Sequence, residues 1–306
     1  MANLASSVRS AALAAILVVA GSGPAASWAA STTAPAAPAP TAATTSTTST
    51  TGLMVVSGEE RSYELFVPSS AGAAPPLIVA LHGLYGSGAR FRTASGWDAV
   101  AARAGAVVAY PDAYESGWRS QAGEFRDVRF LTRLVARLVD DEHVDPHRVY
   151  VVGHSSGAFM SYRLACTRSR IVTAIGPVAG SPVTDCEREP TRGVPVISIH
   201  GTADEVVPYG GGEPHVPGMP TTGVDLPSAR EVARRWVQHN RCEPTPRTKR
   251  SSGARRDTWQ GCRDRARVRL VSIKGWSHTY PGPGSGSAVN ATTTTWRYLR
   301  QFRLPG

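Results

Sequence analysis

Val149-Tyr150-Val151-Val152-Gly153-His154-Ser155-Ser156-Gly157 carries an apolar, β-branched run directly into a Gly-rich turn, and the helix-compatible Ala158–Ala165 follows. Unbroken apolarity over Val149–Val152 marks a strand buried on both faces. A strand that meets a helix within so few residues has to turn sharply, and the G-x-S-x-G pattern puts Ser155 at the apex, where its hydroxyl projects from the sheet. Gly153 and Gly157 present no side chain to the elements that crowd such a turn. The spacing selects Ser155 over its neighbour Ser156.

Working outward, strand-like runs recur at Tyr63–Val67, Leu77–Leu81, Ala106–Tyr110, Ile171–Val178, Val194–His200 and Val268–Ile273. Helical patterns separate them: Phe130, Leu131, Leu134, Val135, Leu138 and Val139 form one apolar stripe, and Ala229–His239 and Thr292–Phe302 also read as helices. Alternation of this kind predicts an α/β fold, a mostly parallel central sheet flanked by helices, with no large cap domain. The Gly/Pro-rich excursion Gly210–Pro227 is expected to border the site.

A serine hydroxyl needs a base to take its proton as it attacks a carbonyl carbon. In the α/β-hydrolase class the chain order is nucleophile, acid, histidine, which leaves His200, His215, His239 and His278 as bases. His278 is preferred, because Trp276–Gly282 reads as a loop at the C-terminal end of Val268–Ile273, where active sites of open α/β sheets lie. The same argument picks Asp204, which closes the loop after Val194–His200, as the carboxylate that orients the imidazole; Glu205 is its neighbouring rival, and Asp225 sits deep in the excursion. Backbone N–H groups must await the oxyanion. Ser156 N–H follows the nucleophile, and Leu84 N–H is the expected second donor, in the His82-Gly83 loop after Leu77–Leu81. Tyr85, Trp118, Trp276 and Tyr280 fall on loops near this constellation and are candidates to receive an aromatic or hydrophobic acyl group.

These segments, with Tyr110-Pro111-Asp112, Val144–Tyr150, Pro177–Gly180 and His200–Asp204, resemble the poly(3-hydroxybutyrate) depolymerase and feruloyl esterase family, α/β-hydrolases related to acetylxylan esterases. The likeness spans most of the chain. It implies a serine esterase with Ser155, Asp204 and His278 as its triad, no cofactor and no metal, acting on feruloyl or acetyl esters of plant polysaccharide or on short-chain polyhydroxyalkanoate. Many relatives carry Cys where this chain has Leu84, and residues Glu115–Phe125 form a shorter loop than the family suggests. Acyl transfer or peptide cleavage on the same scaffold is the alternative chemistry, and a non-catalytic binding protein the non-enzymatic one.

The remaining features concern export and charge. Arg9, the apolar run Ala11–Ala20 and the small-residue site Ser27-Trp28-Ala29 read as a signal peptide over 1–29, too short in its apolar part to span a bilayer. Residues 30–51, nearly all Ser, Thr, Ala and Pro, read as a flexible linker, which leaves 52–306 for the catalytic domain. Secretion suits the four cysteines, and closeness along the chain favours the pairs Cys166–Cys186 and Cys242–Cys262. No C-x-x-C or H-E-x-x-H pattern marks a metal site. The formal charge of +10 gathers as arginines between Arg230 and Arg269, without nucleic-acid motifs, and reads as a solvated basic face.

Overall fold

The computed structural model describes residues 47–182, 186, 190–220 and 223–306. The expected signal peptide, and the linker up to residue 46, lie outside them. Ten strands form one sheet in the order β1-β2-β4-β3-β5-β6-β7-β10-β9-β8. Its middle is parallel: β4 (Val107–Pro111), β3 (Leu77–Leu81), β5 (Val149–His154), β6 (Ala174–Val178), β7 (Val196–Gly201) and β10 (Val268–Ile273). Antiparallel pairs finish both edges, β1 (Thr48–Val56) with β2 (Glu59–Val67) on one side and β9 (Ala254–Trp259) with β8 (Arg247–Arg250) on the other.

The central strands alternate between two covered faces. In β3, Leu77, Val79 and Leu81 enter one apolar cluster with α3 (Arg126–Asp141), α4 (Ser156–Thr167) and α5 (Ala229–His239). Ile78 and Ala80 enter the opposite cluster, with α1 (Gly88–Ser95), α2 (Trp97–Ala104) and α6 (Ala291–Leu299). Both faces being covered explains why these strands read as unbroken apolar runs. The chain moves from β3 outward to β4, then returns to β5 on the other flank of β3, so β3 and β5 border the point where the winding reverses. In open α/β sheets a crevice opens there, beyond the strand C-termini.

Several boundaries differ from the sequence reading. The chain joins the sheet at Thr48, four residues before Gly52, because Thr48–Thr51 pair with Glu64–Val67 through backbone hydrogen bonds that need no apolar side chains. β6 starts at Ala174, since Ile171 and Val172 fold back to donate to the Arg168 carbonyl. β7 starts at Val196, because the Asn240 side chain accepts from Val194 N–H and donates to its carbonyl. Both expected disulfides are present, tying the end of α4 to Cys186 and the end of α5 to the turn after β9. Among the described residues no helix is long and apolar enough to cross a membrane.

Candidate active site

Ser155 sits between β5 and α4 with φ 53° and ψ −119°, a backbone conformation that a residue with a side chain adopts only under constraint. The constraint is visible on both sides. A Cβ on Gly153 would lie 2.2 Å from the Gly157 carbonyl oxygen, and one on Gly157 would lie 2.2 Å from that of Leu81, so strand, turn and helix close up only through glycine. Ser155 N–H donates to Val178 at 2.9 Å, fixing the turn to β6.

Two other loops bring the candidate base and the candidate acid. His278 follows β10 and Asp204 follows β7, and the loops are latched by Ala203 N–H to the Trp276 carbonyl at 3.0 Å. His278 Nε2 lies 2.9 Å from Ser155 Oγ, while its Nδ1 lies 2.9 and 3.0 Å from the two oxygens of Asp204. A carboxylate accepts only, so Nδ1 carries the proton and Nε2 offers its lone pair to the serine hydroxyl. Asp204 also accepts from Val206 and Val207 N–H, at 3.0 and 2.9 Å. Burial works against its charge, but hydrogen bonds from His200 and His278 outweigh it and hold its pKa well below the usual carboxylate range. Glu205 and Asp225 are both exposed.

Two histidines of this site escaped the sequence reading as partners of the triad. His200 Nε2 stands 3.2 Å from Asp204 and 2.8 Å from the Val207 carbonyl, behind the carboxylate. His154 Nε2 donates to the His278 carbonyl at 2.8 Å, and the two rings are 5.1 Å apart. Burial, then repulsion from His278, pushes the His154 pKa down to about 4, so it stays neutral beside the His278 imidazole. The available signals were G-H-S and the i, i+4 spacing of His200 and Asp204.

The loop expected to supply the second oxyanion donor lies against the elbow. A Cβ on Gly83 would be 3.4 Å from Ser155 Cβ, and one on Gly117 would meet both Leu84 Cδ1 and Ser156 Oγ. His82 shapes this loop: its Nδ1–H donates to the Gly83 carbonyl at 2.7 Å, and its Nε2 accepts from Ala113 N–H at 3.1 Å. Burial lowers its pKa, which favours the neutral ring that can accept from Ala113. Tyr85 N–H donates to Ser116, and Trp118 N–H to Ser156 Oγ, so residues 116–118 hold the loop and the first turn of α4 together. Among the described residues neither Leu84 N–H nor Ser156 N–H has a hydrogen-bond partner.

The four candidate aromatics divide. Tyr85 is exposed, whereas Trp118 is 4% exposed with its indole N–H on the His82 carbonyl. Trp118 is therefore framework and not a wall for substrate. Trp276 is half-buried and spends its N–H on the Thr279 carbonyl of its own loop. Tyr280 packs edge-on against Phe91 and His154, and its hydroxyl is paired with Thr292; burial pushes its pKa up to about 12.

Known proteins resemble this chain in sequence and in fold. The chain is 30% identical over 264 residues to the protein named "Putative esterase NocK" of Nocardia uniformis subsp. tsuyamanensis, covering 78% of this chain and 77% of that one. It is 28% identical over 263 residues to feruloyl esterase C of Emericella nidulans, covering 81% and 86% respectively. In structure it resembles an acetyl xylan esterase from Aspergillus awamori, with a TM-score of 0.63 at 15% identity over 82% of this chain and 99% of that one, a likeness of fold. The model of the alpha/beta hydrolase family matches residues 78–297, from β3 into α6, and the chain belongs to that family.

Proposed function

We propose that the chain is a secreted serine esterase that cleaves feruloyl or acetyl esters of plant polysaccharide through an acyl-enzyme on Ser155. One observation carries the reading: a serine on a strained elbow, 2.9 Å from an imidazole nitrogen whose other nitrogen is held by a buried carboxylate. As Ser155 Oγ bonds to the ester carbon, its proton passes to His278 Nε2 and the carbonyl π pair moves onto oxygen, toward Leu84 and Ser156 N–H. Collapse expels the alcohol oxygen, which takes the proton from His278. Water, deprotonated by the same nitrogen, then releases the acid and restores the serine. The ionised Asp204 stabilises the imidazolium throughout.

The relatives' names support a carboxylic ester as substrate, and Tyr85, exposed next to the expected oxyanion donor Leu84, supports an aromatic acyl group. The two disulfides and the leader-like residues 1–29 support export. The test is Ser155→Ala, assayed on p-nitrophenyl acetate with methyl ferulate, acetylated xylan and a short-chain polyhydroxyalkanoate alongside. Loss of about 10⁴-fold or more in kcat, with the melting temperature kept, is expected. Turnover that survives the substitution would remove Ser155 as nucleophile.

A further inference from the structure

Ester hydrolysis gives no role to the arginines between Arg230 and Arg269, yet the fold gathers part of that run around one cleft of about 230 Å³. Arg230 comes from α5, Arg250 and Arg255 from the β8–β9 hairpin, and Lys274 from the turn after β10; Thr202 and Ser251 add hydroxyls. Against these four cations stands one carboxylate among the described residues. Asp257 is 2.7 Å from Arg255 and 3.7 Å from Arg230, and its other oxygen accepts from Thr248. Buried at 1% side-chain exposure, Asp257 is spent in holding Arg255 and drawing Arg230 toward it. Arg250 and Lys274 make no ion pair among the described residues, so the cleft keeps a surplus of three positive charges, four cations less one carboxylate. Like charges drawn from three elements repel one another, and an anion between them relieves that repulsion.

The cleft shares its wall with the catalytic loops. Thr202 stands two residues before Asp204 and Lys274 four before His278, and the loops are joined there by Thr202 N–H to the Ile273 carbonyl and Gly275 N–H to Thr202 Oγ1, both 2.9 Å. We propose that this cleft binds the carboxylate of an acidic saccharide, so that the esters cleaved at Ser155 are carried on uronate-containing chains. The second half of that statement rests on the esterase reading; the first does not. A guanidinium fork matches carboxylate geometry, and the surrounding hydroxyls match those of a sugar. A nucleic acid fits poorly. Tyr209 is the single aromatic among the residues lining the cleft, and its hydroxyl is engaged by Ser272 at 2.6 Å, so successive bases find no stacking platform there.

Binding is read by calorimetric titration of trigalacturonate into Ser155→Ala, in which no turnover intervenes, and into the same protein carrying Arg250→Gln and Lys274→Gln. The double change is expected to raise Kd about tenfold, through two lost charge-assisted contacts. Roughly 0.5 M NaCl should weaken binding to the parent protein. Equal Kd values, binding of neutral xylotriose as tight as of trigalacturonate, or tighter binding of a short single-stranded DNA would each overturn the proposal. In otherwise wild-type enzyme the double change should raise KM for O-acetylated polygalacturonate about tenfold, leave its kcat within about twofold and spare p-nitrophenyl acetate. If p-nitrophenyl acetate is hydrolysed and trigalacturonate does not bind, the cleft proposal fails alone. If trigalacturonate binds and neither ester is hydrolysed, the esterase reading fails and saccharide binding stands.

Discussion

β5 and β8 belong to the same ladder, one at the centre of the sheet and one at its edge. Five of the six residues of β5 are buried, and the strand ends in a turn whose geometry only glycine and one strained serine accommodate. All four residues of β8 are exposed, and its neighbour β9 begins Ala-Arg-Arg. At the centre two helical layers press on each side chain, so chemistry is dictated residue by residue. At the edge the backbone hydrogen bonds suffice, and long cationic stems lie over the surface with their heads in water. Substitutions should therefore have effects that shrink from the central loops toward the edge.

The largest effect is expected at Asp204. Asp204→Asn keeps an acceptor for the amides of Val206 and Val207 but lets the side-chain amide donate toward His278 Nδ1, which favours the wrong tautomer. Its kcat on p-nitrophenyl acetate at neutral pH should fall about 10⁴-fold. A loss under about tenfold would place the orienting acid elsewhere, with Glu205 the first alternative.

Next comes the pH dependence built in by His154. Its pKa is about 4 in the fold against an ordinary 6.5, so between these values the unfolded chain binds a proton that the folded chain refuses. Stability then rises with pH across that window and is lost as pH falls from 6.5 toward 4, by up to about 3 kcal/mol. His82, also depressed by burial, acts in the same direction. Asp204 acts lower, its stabilisation being complete above 3.8 and lost as pH falls below that. His154→Gln stays neutral throughout, so urea melts at pH 7 and pH 5 should differ less than in the wild type, with His82 supplying the remainder. An unchanged difference would show that the His154 ring is not the refusing group.

The central segments were legible in the sequence because burial on both faces writes itself as apolar runs, and because a serine presented on a sharp strand-to-helix turn needs G-x-S-x-G. Ser155, Asp204 and His278 were proposed from their places after strands, and the structure brings them within hydrogen-bond distance of one another. Roles that depend on which face of a loop turns inward were not legible. His200 was weighed only as a base and His154 only as a residue of the elbow motif, neither as a partner of the triad, and Trp118 looked like a pocket wall. The edges were missed for a different reason: Thr48–Thr51 and Arg247–Arg250 pair through the backbone, and their side chains carry no alternation to read.

A pair of aromatic substitutions separates framework from pocket. Trp118→Phe deletes the hydrogen bond to the His82 carbonyl and should cost about 1 kcal/mol of stability, with KM for methyl ferulate within about twofold. Tyr85→Ala, at an exposed position, should leave stability within about 0.5 kcal/mol and raise that KM a few-fold. The reverse pattern would make Trp118 the substrate-facing ring.

The smallest effect is expected at Arg247. It opens the outermost strand, opposite Thr258, its side chain is exposed, and it makes no ion pair among the described residues. Arg247→Gln retains the backbone N–H and carbonyl that form the ladder and removes one charge from a region already crowded with like charges. Stability measured by urea melting should change by less than about 0.5 kcal/mol, with the shift toward greater stability at low salt, where repulsion is least screened. A loss above about 1 kcal/mol would mean that an edge side chain contributes as the central ones do, and the gradient from β5 to β8 would then need a cause other than burial.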